Sequence, residues 1–273
     1  MTDTGAGVWV LKKRKRNEVV TRTHPINFIF ENPLFGRFKD MYFTKEMLEE
    51  YPDYVFTRPT SYCHYGMSYM KATVFIGTLS RFQPKLPCRK NPCKEYKTNR
   101  CHASQVKEQS AAEKNSIPGE LVDLEVESWM QDYPNPDQRF LFIDVFAGYG
   151  SVAERIRTKY PKVFVYANDI VRRKDNNVEL DVNKFPMSFL FNLALQKHFG
   201  DPTLPDMPDG LIPWLRAEKI AVLFHLSTPC NTYSVDGLAA NRDKNTLIPH
   251  SALGRAHDEM NTKIMNWLKR LCF

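Results

Sequence analysis

The sequence predicts an α/β protein built on a largely parallel sheet. From residue 140 onward, short apolar runs alternate with helical stretches, the pattern of strands joined by crossover helices. The first of those runs, FLFIDVFAG, leads into a glycine turn and then a helix. With 42% hydrophobic residues over 273 positions, the chain can bury such a sheet in a core.

Each element follows from its local pattern. INFIFENP reads as a buried strand ending at a polar site, and TVFIGTL as a second strand. Residues 80–115 are polar, basic and cysteine-bearing, so they read as a loop or small insertion. PGELVDLEVESWM reads as a helix entered through Pro118, because proline's missing N–H costs nothing in a first helical turn. QDYPNPDQR, residues 131–139, is a proline-rich joint. After it, FLFIDVFAG, VFVYAND and KIAVLFHLSTPC read as strands, with ELDV closing a further short one. SVAERIRTKY, PMSFLFNLALQKHF and HDEMNTKIMNWLKRL read as helices. There is no internal repeat and no low-complexity tract. The expected organisation is a basic arm at 1–24 and one domain at 25–273. That domain divides into a first half at 25–130 with a short insertion at 78–114, a linker at 131–139 and a second half at 140–273.

Composition narrows the partners. A net charge of +7 and a pI near 9.0 suit a polyanion such as nucleic acid. Lys12-Lys13-Arg14-Lys15-Arg16 fits a phosphate-contacting arm or a nuclear-import signal, and equally a solvated terminus. No run approaches the ~18 apolar residues a membrane helix needs. The N-terminus carries its charge after a short apolar patch, the reverse of a secretory signal. An intracellular location is expected, nuclear in a eukaryote, with no membrane partner. Six cysteines over this length are too sparse for a disulfide framework, which leaves free thiols, a metal site or a catalytic thiol.

Several residues carry chemical potential. FIDVFAGYGS puts Asp144 near a strand end and Gly148 and Gly150 in the following turn. There a ligand can approach the backbone beside a helix N-terminus. The dinucleotide fingerprint is incomplete, since Ala153 stands in place of its third glycine. Asp169 follows at the distance of a ribose-binding carboxylate, so a nucleoside cofactor is expected, a nicotinamide being only one candidate. Asp181 in ELDV falls at the same carboxyl edge of the sheet. Glu31 in FIFENP is a partly desolvated carboxylate suited to proton transfer, or a turn cap. Cys230 in STPC, at that edge beside backbone N–H groups, is placed as an activated thiolate nucleophile, with a small residue in a tight turn as the simpler reading.

These segments together resemble a known family. FIDVFAGYGS, YAND, LDV and STPCNTYS are similar to motifs I to IV of the DNA cytosine-C5 methyltransferases. FENP resembles that family's glutamate motif, CHYGMSYMKATVFIG its YG-x-PQ-x-R-x-R segment, and KNSIPGEL its GN-[AS]-V-P-P-x-L motif. The order differs from the usual one: here the glutamate and asparagine motifs precede the cofactor motifs. The resemblance therefore implies a Rossmann-like S-adenosylmethionine-dependent methyltransferase sheet that is circularly permuted, joined through QDYPNPDQR, with a small irregular insertion.

The resemblance further implies a DNA (cytosine-5-)-methyltransferase. Cys230 would add to C6 of the cytosine, Glu31 would meet N3, and Lys71 would supply a cation beside them. S-Adenosyl-L-methionine would contact Asp144, Phe146, Gly148, Gly150, Ser151, Asp169 and Asp181, with Asn115 and Ser116 completing its site. The target would be a cytosine flipped out of double-stranded DNA. Two departures stand out. Thr73 occupies the place of the motif's second arginine, the one that supports the flipped base. The recognition interval is also only 78–114, so sequence readout is expected to be short or supplied by a protein partner. Alternatives are a catalytically weak DNA-binding or regulatory homologue, and an RNA cytosine-C5 methyltransferase. No metal site is expected: Cys88, Cys93 and Cys101 are weak zinc candidates, because C-x4-C-x7-C-H lacks the common C-x2-C pairs and adjacent Cys101 and His102 cannot easily share one ion.

Overall fold

The computed structural model describes residues 24–99, 102–171, 178–200, 210–229 and 231–273. The basic run Lys12–Arg16, Cys101 and Cys230 lie outside the described residues. Among those described, the strands are β1 (Ile26–Pro33), β2 (Phe56–Ser61), β3 (Ala72–Gly77), β4 (Arg139–Asp144), β5 (Val163–Asp169), β6 (Val178–Glu179) and β7 (Ile220–Leu226). They form one seven-stranded sheet in the order β2-β3-β1-β7-β4-β5-β6. The pairs β1–β7, β7–β4, β4–β5 and β5–β6 are parallel, whereas β3 runs antiparallel to both β1 and β2. This is a mixed, mostly parallel α/β sheet of Rossmann-like kind.

The helices are α1 (Tyr42–Glu50), α2 (Lys94–Asn99), α3 (Ala111–Asn115), α4 (Gly119–Met130), α5 (Ser151–Lys159), α6 (Met187–Phe199), α7 (Leu211–Ala217), α8 (Val235–Asn241) and α9 (Ala252–Cys272). They cover both faces of the sheet. Alternation along the strands sends Phe28 and Phe30 of β1, Leu141 and Ile143 of β4, and Val222 and Phe224 of β7 to one core with α1, α6, α7 and α9. Ile29, Phe140, Phe142 and Leu223 point the other way, onto Val122, Val126 and Trp129 of α4 and Val152 and Ile156 of α5. A strand covered on both faces has no polar side, which is why every residue of IAVLFHL is buried. Each large apolar side chain so buried contributes about 1.5–3 kcal/mol. No described helix is long and apolar enough to cross a membrane.

The topology fixes where a ligand can bind. Parallel pairing brings the carboxyl ends of β1, β4, β5, β6 and β7 to one edge, and antiparallel β3 begins at that edge. From β4 the chain moves outward through β5 and β6, then returns to the other side of β4 as β7. Loops on either side of such a reversal splay apart and leave a crevice.

The observed elements depart from the sequence pattern in places. α1 and β2 were not evident: FTRPTS is polar and contains a proline, which suits an edge strand that shows one side to solvent. The strand before ELDV is only Val178–Glu179, and Asp181 lies in the turn beyond it. The interval 80–115 is not loop throughout, since α2 and α3 lie within it.

Candidate functional site

A cleft of about 520 Å³ opens at the shared carboxyl edge. Glu31, Lys71, Asn115, Asp144, Phe146, Gly148, Ser151, Asp169 and Asp181 all line it, so most of the expected site residues, drawn from both halves of the chain, converge on one cavity. Gly150 and Ser116 are not among its lining residues. Cys230 lies outside the described residues, but Thr228 and Pro229 immediately before it form part of the wall.

The glycine turn is built by its own carboxylate. Gly148 and Gly150 adopt φ of +54° and +77°, a left-handed conformation that side chains disfavour. Asp169, at the end of β5, accepts the Gly148 N–H on Oδ2 at 2.7 Å and the Val171 N–H on Oδ1 at 3.1 Å. Thus Asp169 braces the turn while its half-buried carboxylate also faces the cleft. A Cβ on Gly148 would meet no atom within 4 Å, so the turn fronts open space that a ligand can fill. Asp181 is half-buried and caps its own turn by accepting from Asn183 N–H at 2.9 Å.

The two motif-bearing loops meet directly. Asn32 of FENP donates from Nδ2 to Thr228 Oγ1 of STPC at 3.2 Å, a buried bond between residues 196 positions apart. Behind it, Arg37 N–H donates to the Tyr233 carbonyl at 2.7 Å. The cause is the parallel register of β1 with β7, in which Phe30 is paired with Leu226, so FENP and STPC emerge side by side.

Glu31 is 7% exposed and held from one side. Tyr62 donates its hydroxyl to Glu31 Oε1 at 2.8 Å, and Lys71 Nζ stands 3.5 Å from the same oxygen. Burial, and then the adjacent carboxylate, raise the Tyr62 hydroxyl well above its ordinary range, so it remains a permanent donor. Lys71 Nζ also lies 4.7 Å from the centre of the Tyr62 ring. Thr73 is fully buried in β3 and does not line the cleft.

Beneath the cleft lies a charged chain that the sequence pattern did not reveal. His225 Nδ1 is 2.9 Å from Glu125 Oε1 of α4, and its Nε2 is 3.1 Å from Ser227 Oγ. Burial alone would lower the imidazole, but the Glu125 carboxylate outweighs it and holds His225 up at about 9. The chain has the connectivity of a nucleophilic Ser-His-Glu triad. A protonated imidazole cannot accept the Ser227 proton, so it acts instead as a fixed cation and hydrogen-bond donor under the STPC loop. Neighbouring Asp144 is 1% exposed, and burial pushes it up to about 6 despite the His225 charge. Among the described residues its Oδ2 has no hydrogen-bond partner. The only sequence signal for this network was a histidine interrupting the apolar run IAVLFHL.

Among the described residues, four carboxylates line the cleft against Lys71 and the histidines His225 and His257. This balance fits a cationic ligand better than a pyrophosphate, which would be repelled. No family model matches the chain, and no curated protein or solved structure is significantly similar to it.

Outside the cleft, Cys63, Cys88, Cys93 and His102 bring one ligand atom each to within 4.8 Å of one another. Of the residues weighed from sequence as weak zinc candidates, Cys88, Cys93 and the neighbouring His102 belong to this group, whereas Cys63 was not among them.

Proposed function

We propose that the protein is an S-adenosylmethionine-dependent DNA (cytosine-5-)-methyltransferase of circularly permuted order. The observation that carries this reading is the Asn32–Thr228 bond, which holds the glutamate-bearing and cysteine-bearing segments together at the edge of one cleft. The sheet order supports the permutation. Counted from β4, the strands β6-β5-β4-β7 run third, second, first, fourth, and β1 follows as the fifth, the order of doubly wound nucleotide-binding sheets.

The residues present fit the cofactor. Gly148 leaves open space at the turn, Asp169 and Asp181 offer carboxylates to ribose and adenine, and the acidic lining suits a sulfonium charge. When bound, S-adenosylmethionine supplies an electrophilic methyl group. The chain's own residues prepare the base to receive it. The Cys230 thiolate adds to C6 of cytosine while a proton shared with Glu31 at N3 neutralises the ring, which makes C5 nucleophilic. Tyr62 and Lys71 both act on Oε1 of Glu31, so Oε2 is the oxygen that meets N3. After C5 is alkylated, a base removes its proton and the thiolate leaves, restoring the free cysteine. A stacked base cannot reach either group, so the cytosine must be flipped out, at a cost of about a few kcal/mol offset by phosphate contacts from lysines and arginines of this net-positive chain.

The test is covalent trapping. The protein is incubated with S-adenosylmethionine and duplex DNA or RNA containing 5-fluorocytosine, then run on a denaturing gel. A DNA adduct that disappears in Cys230→Ser supports the proposal. An adduct confined to RNA reassigns the substrate, and DNA binding without any adduct replaces the enzyme with a binding module.

A further inference from the structure

Cys88, Cys93 and His102 of the segment 78–114 gather with Cys63 of the sheet edge, their ligand atoms within 4.8 Å of one another. Cys63 lies in the turn Tyr62–Tyr65 between β2 and β3, Cys88 and Cys93 flank a tight turn in which Lys90 and Asn91 N–H donate to the Pro87 carbonyl, and His102 follows α2. Cys88 and Cys93 are buried, and Cys63 and His102 are half-buried. Cys63, Cys88 and Cys93 form no disulfide.

The distances separate a metal cage from ordinary packing. His102 Nε2 lies 3.6 Å from Cys88 Sγ and 3.4 Å from Cys93 Sγ. Bonds of about 2.3 Å to sulfur and 2.0–2.1 Å to nitrogen at a tetrahedral angle place S and N about 3.6 Å apart. Thiol–imidazole hydrogen bonding does not account for the same arrangement, because one ring nitrogen offers either one lone pair or one proton and cannot serve two sulfurs. A single ion at the centre satisfies all four atoms. Backbone groups are also aimed at the sulfurs: Cys93 N–H donates to Cys88 Sγ and Tyr96 N–H to Cys93 Sγ, each at 3.4 Å. Such N–H donors stabilise thiolates and orient metal ligands.

We propose that Cys63, Cys88, Cys93 and His102 form a structural zinc site that anchors the 78–114 segment to the β2–β3 turn. Four protein ligands leave no open position, so the ion is structural and not catalytic. Binding converts three thiols to thiolates and releases their protons to solvent, while neutral His102 donates its Nε2 lone pair. Cys63 adjoins Tyr62, whose hydroxyl contacts Glu31 of the cleft, so the zinc also steadies the support of that carboxylate. The proposal stands independently of methyl transfer, because metal content is read without activity.

The test uses the full chain purified without chelator. Elemental analysis is expected to find about one zinc per chain. Replacement by cobalt is expected to give the intense visible bands of a tetrahedral thiolate site, together with a near-ultraviolet sulfur-to-metal band. Cys63→Ala and Cys93→Ala lose the ion, whereas Cys272→Ser, at a buried cysteine outside the cluster, keeps it. Absence of stoichiometric zinc together with a featureless cobalt titration of the wild-type chain overturns the proposal, as does zinc retained in full by the folded Cys63→Ala and Cys93→Ala variants. The wild-type cobalt spectrum decides the matter where the variants do not fold.

Discussion

Glu125→Gln tests the buried charge beneath the cleft. Glutamine keeps the volume of the side chain and can still accept from His225 Nδ1, so the change removes the charge while preserving the contact. In the wild type, His225 titrates near 9 in the folded protein against an ordinary 6.5. A raised folded value means that the folded state holds the proton more tightly. The resulting stability is fully present below about pH 6.5 and is lost as pH rises through 9. At 1.36 kcal/mol per unit the contribution is about 2–3 kcal/mol at pH 7, falling nearly to zero by about pH 9.5. Urea denaturation of wild type and variant, run in parallel at steps across that range, reads the difference directly and cancels every titrating group the two share. The variant is expected to be less stable by about 2–3 kcal/mol at pH 7, with the gap closing as pH passes 9. A gap independent of pH would show that the Glu125 charge does not hold a proton on His225 across this range, and the argument against a working Ser227–His225–Glu125 triad would then lose its support.

Arg242 is fully buried and bonded to Asp258 and to the carbonyls of Thr232 and Leu247. Arg242→Met strands a buried carboxylate and should cost about 3–5 kcal/mol in urea denaturation; a loss below 1 kcal/mol contradicts that role. Gly237→Ala would place a Cβ 1.6 Å from the Asn231 carbonyl oxygen, so the loop after Cys230 must shift. Trapping of 5-fluorocytosine should fall more than global stability does, and an unchanged trapping rate refutes the link between α8 and that loop. Tyr62→Phe removes the donor to Glu31 Oε1 and should slow adduct formation about 10-fold or more, with little change in DNA affinity. Equal weakening of both would assign Tyr62 to packing instead.

What could be read from the sequence followed burial. β4, β5 and β7 lie inside the sheet, and their two-sided cover forces near-continuous apolar runs. α4 announced itself through Pro118 and its apolar spacing. By contrast, β2 is an edge strand whose polar residues carry no such signature, and the strand before ELDV is too short to have one. Glu31, Lys71, Asp169 and Asp181, all lining the cleft, could be singled out because each lies at or beside a strand terminus. The Glu125–His225 pair joins residues 100 positions apart on different layers, so no local spacing could reveal it. The cysteine cluster was visible only in part: Cys88, Cys93 and His102 fall in one interval, but Cys63 does not. Cys63 comes from the β2–β3 turn, and only the folded sheet edge brings it to Cys88, Cys93 and His102.

The placement of β1 between β3 and β7 has a consequence for biosynthesis. A ribosome makes β1 and its antiparallel neighbour early, but the other edge of β1 has no partner until β7 emerges, after most of the chain has been translated. In that interval an apolar strand edge is open to any passing chain, which is an aggregation hazard. Closure of the β1–β7 seam is therefore also the moment at which the cleft comes into being, because the wall carrying FENP and the wall carrying STPC are first set against each other there. A chain cut within 131–139 would yield two fragments, each holding half of the cleft. Docking of those fragments along the β1–β7 seam, with α4 returning to α5 and Glu125 to His225, would restore the whole site, which makes the joint a natural place to divide the protein into a complementing pair.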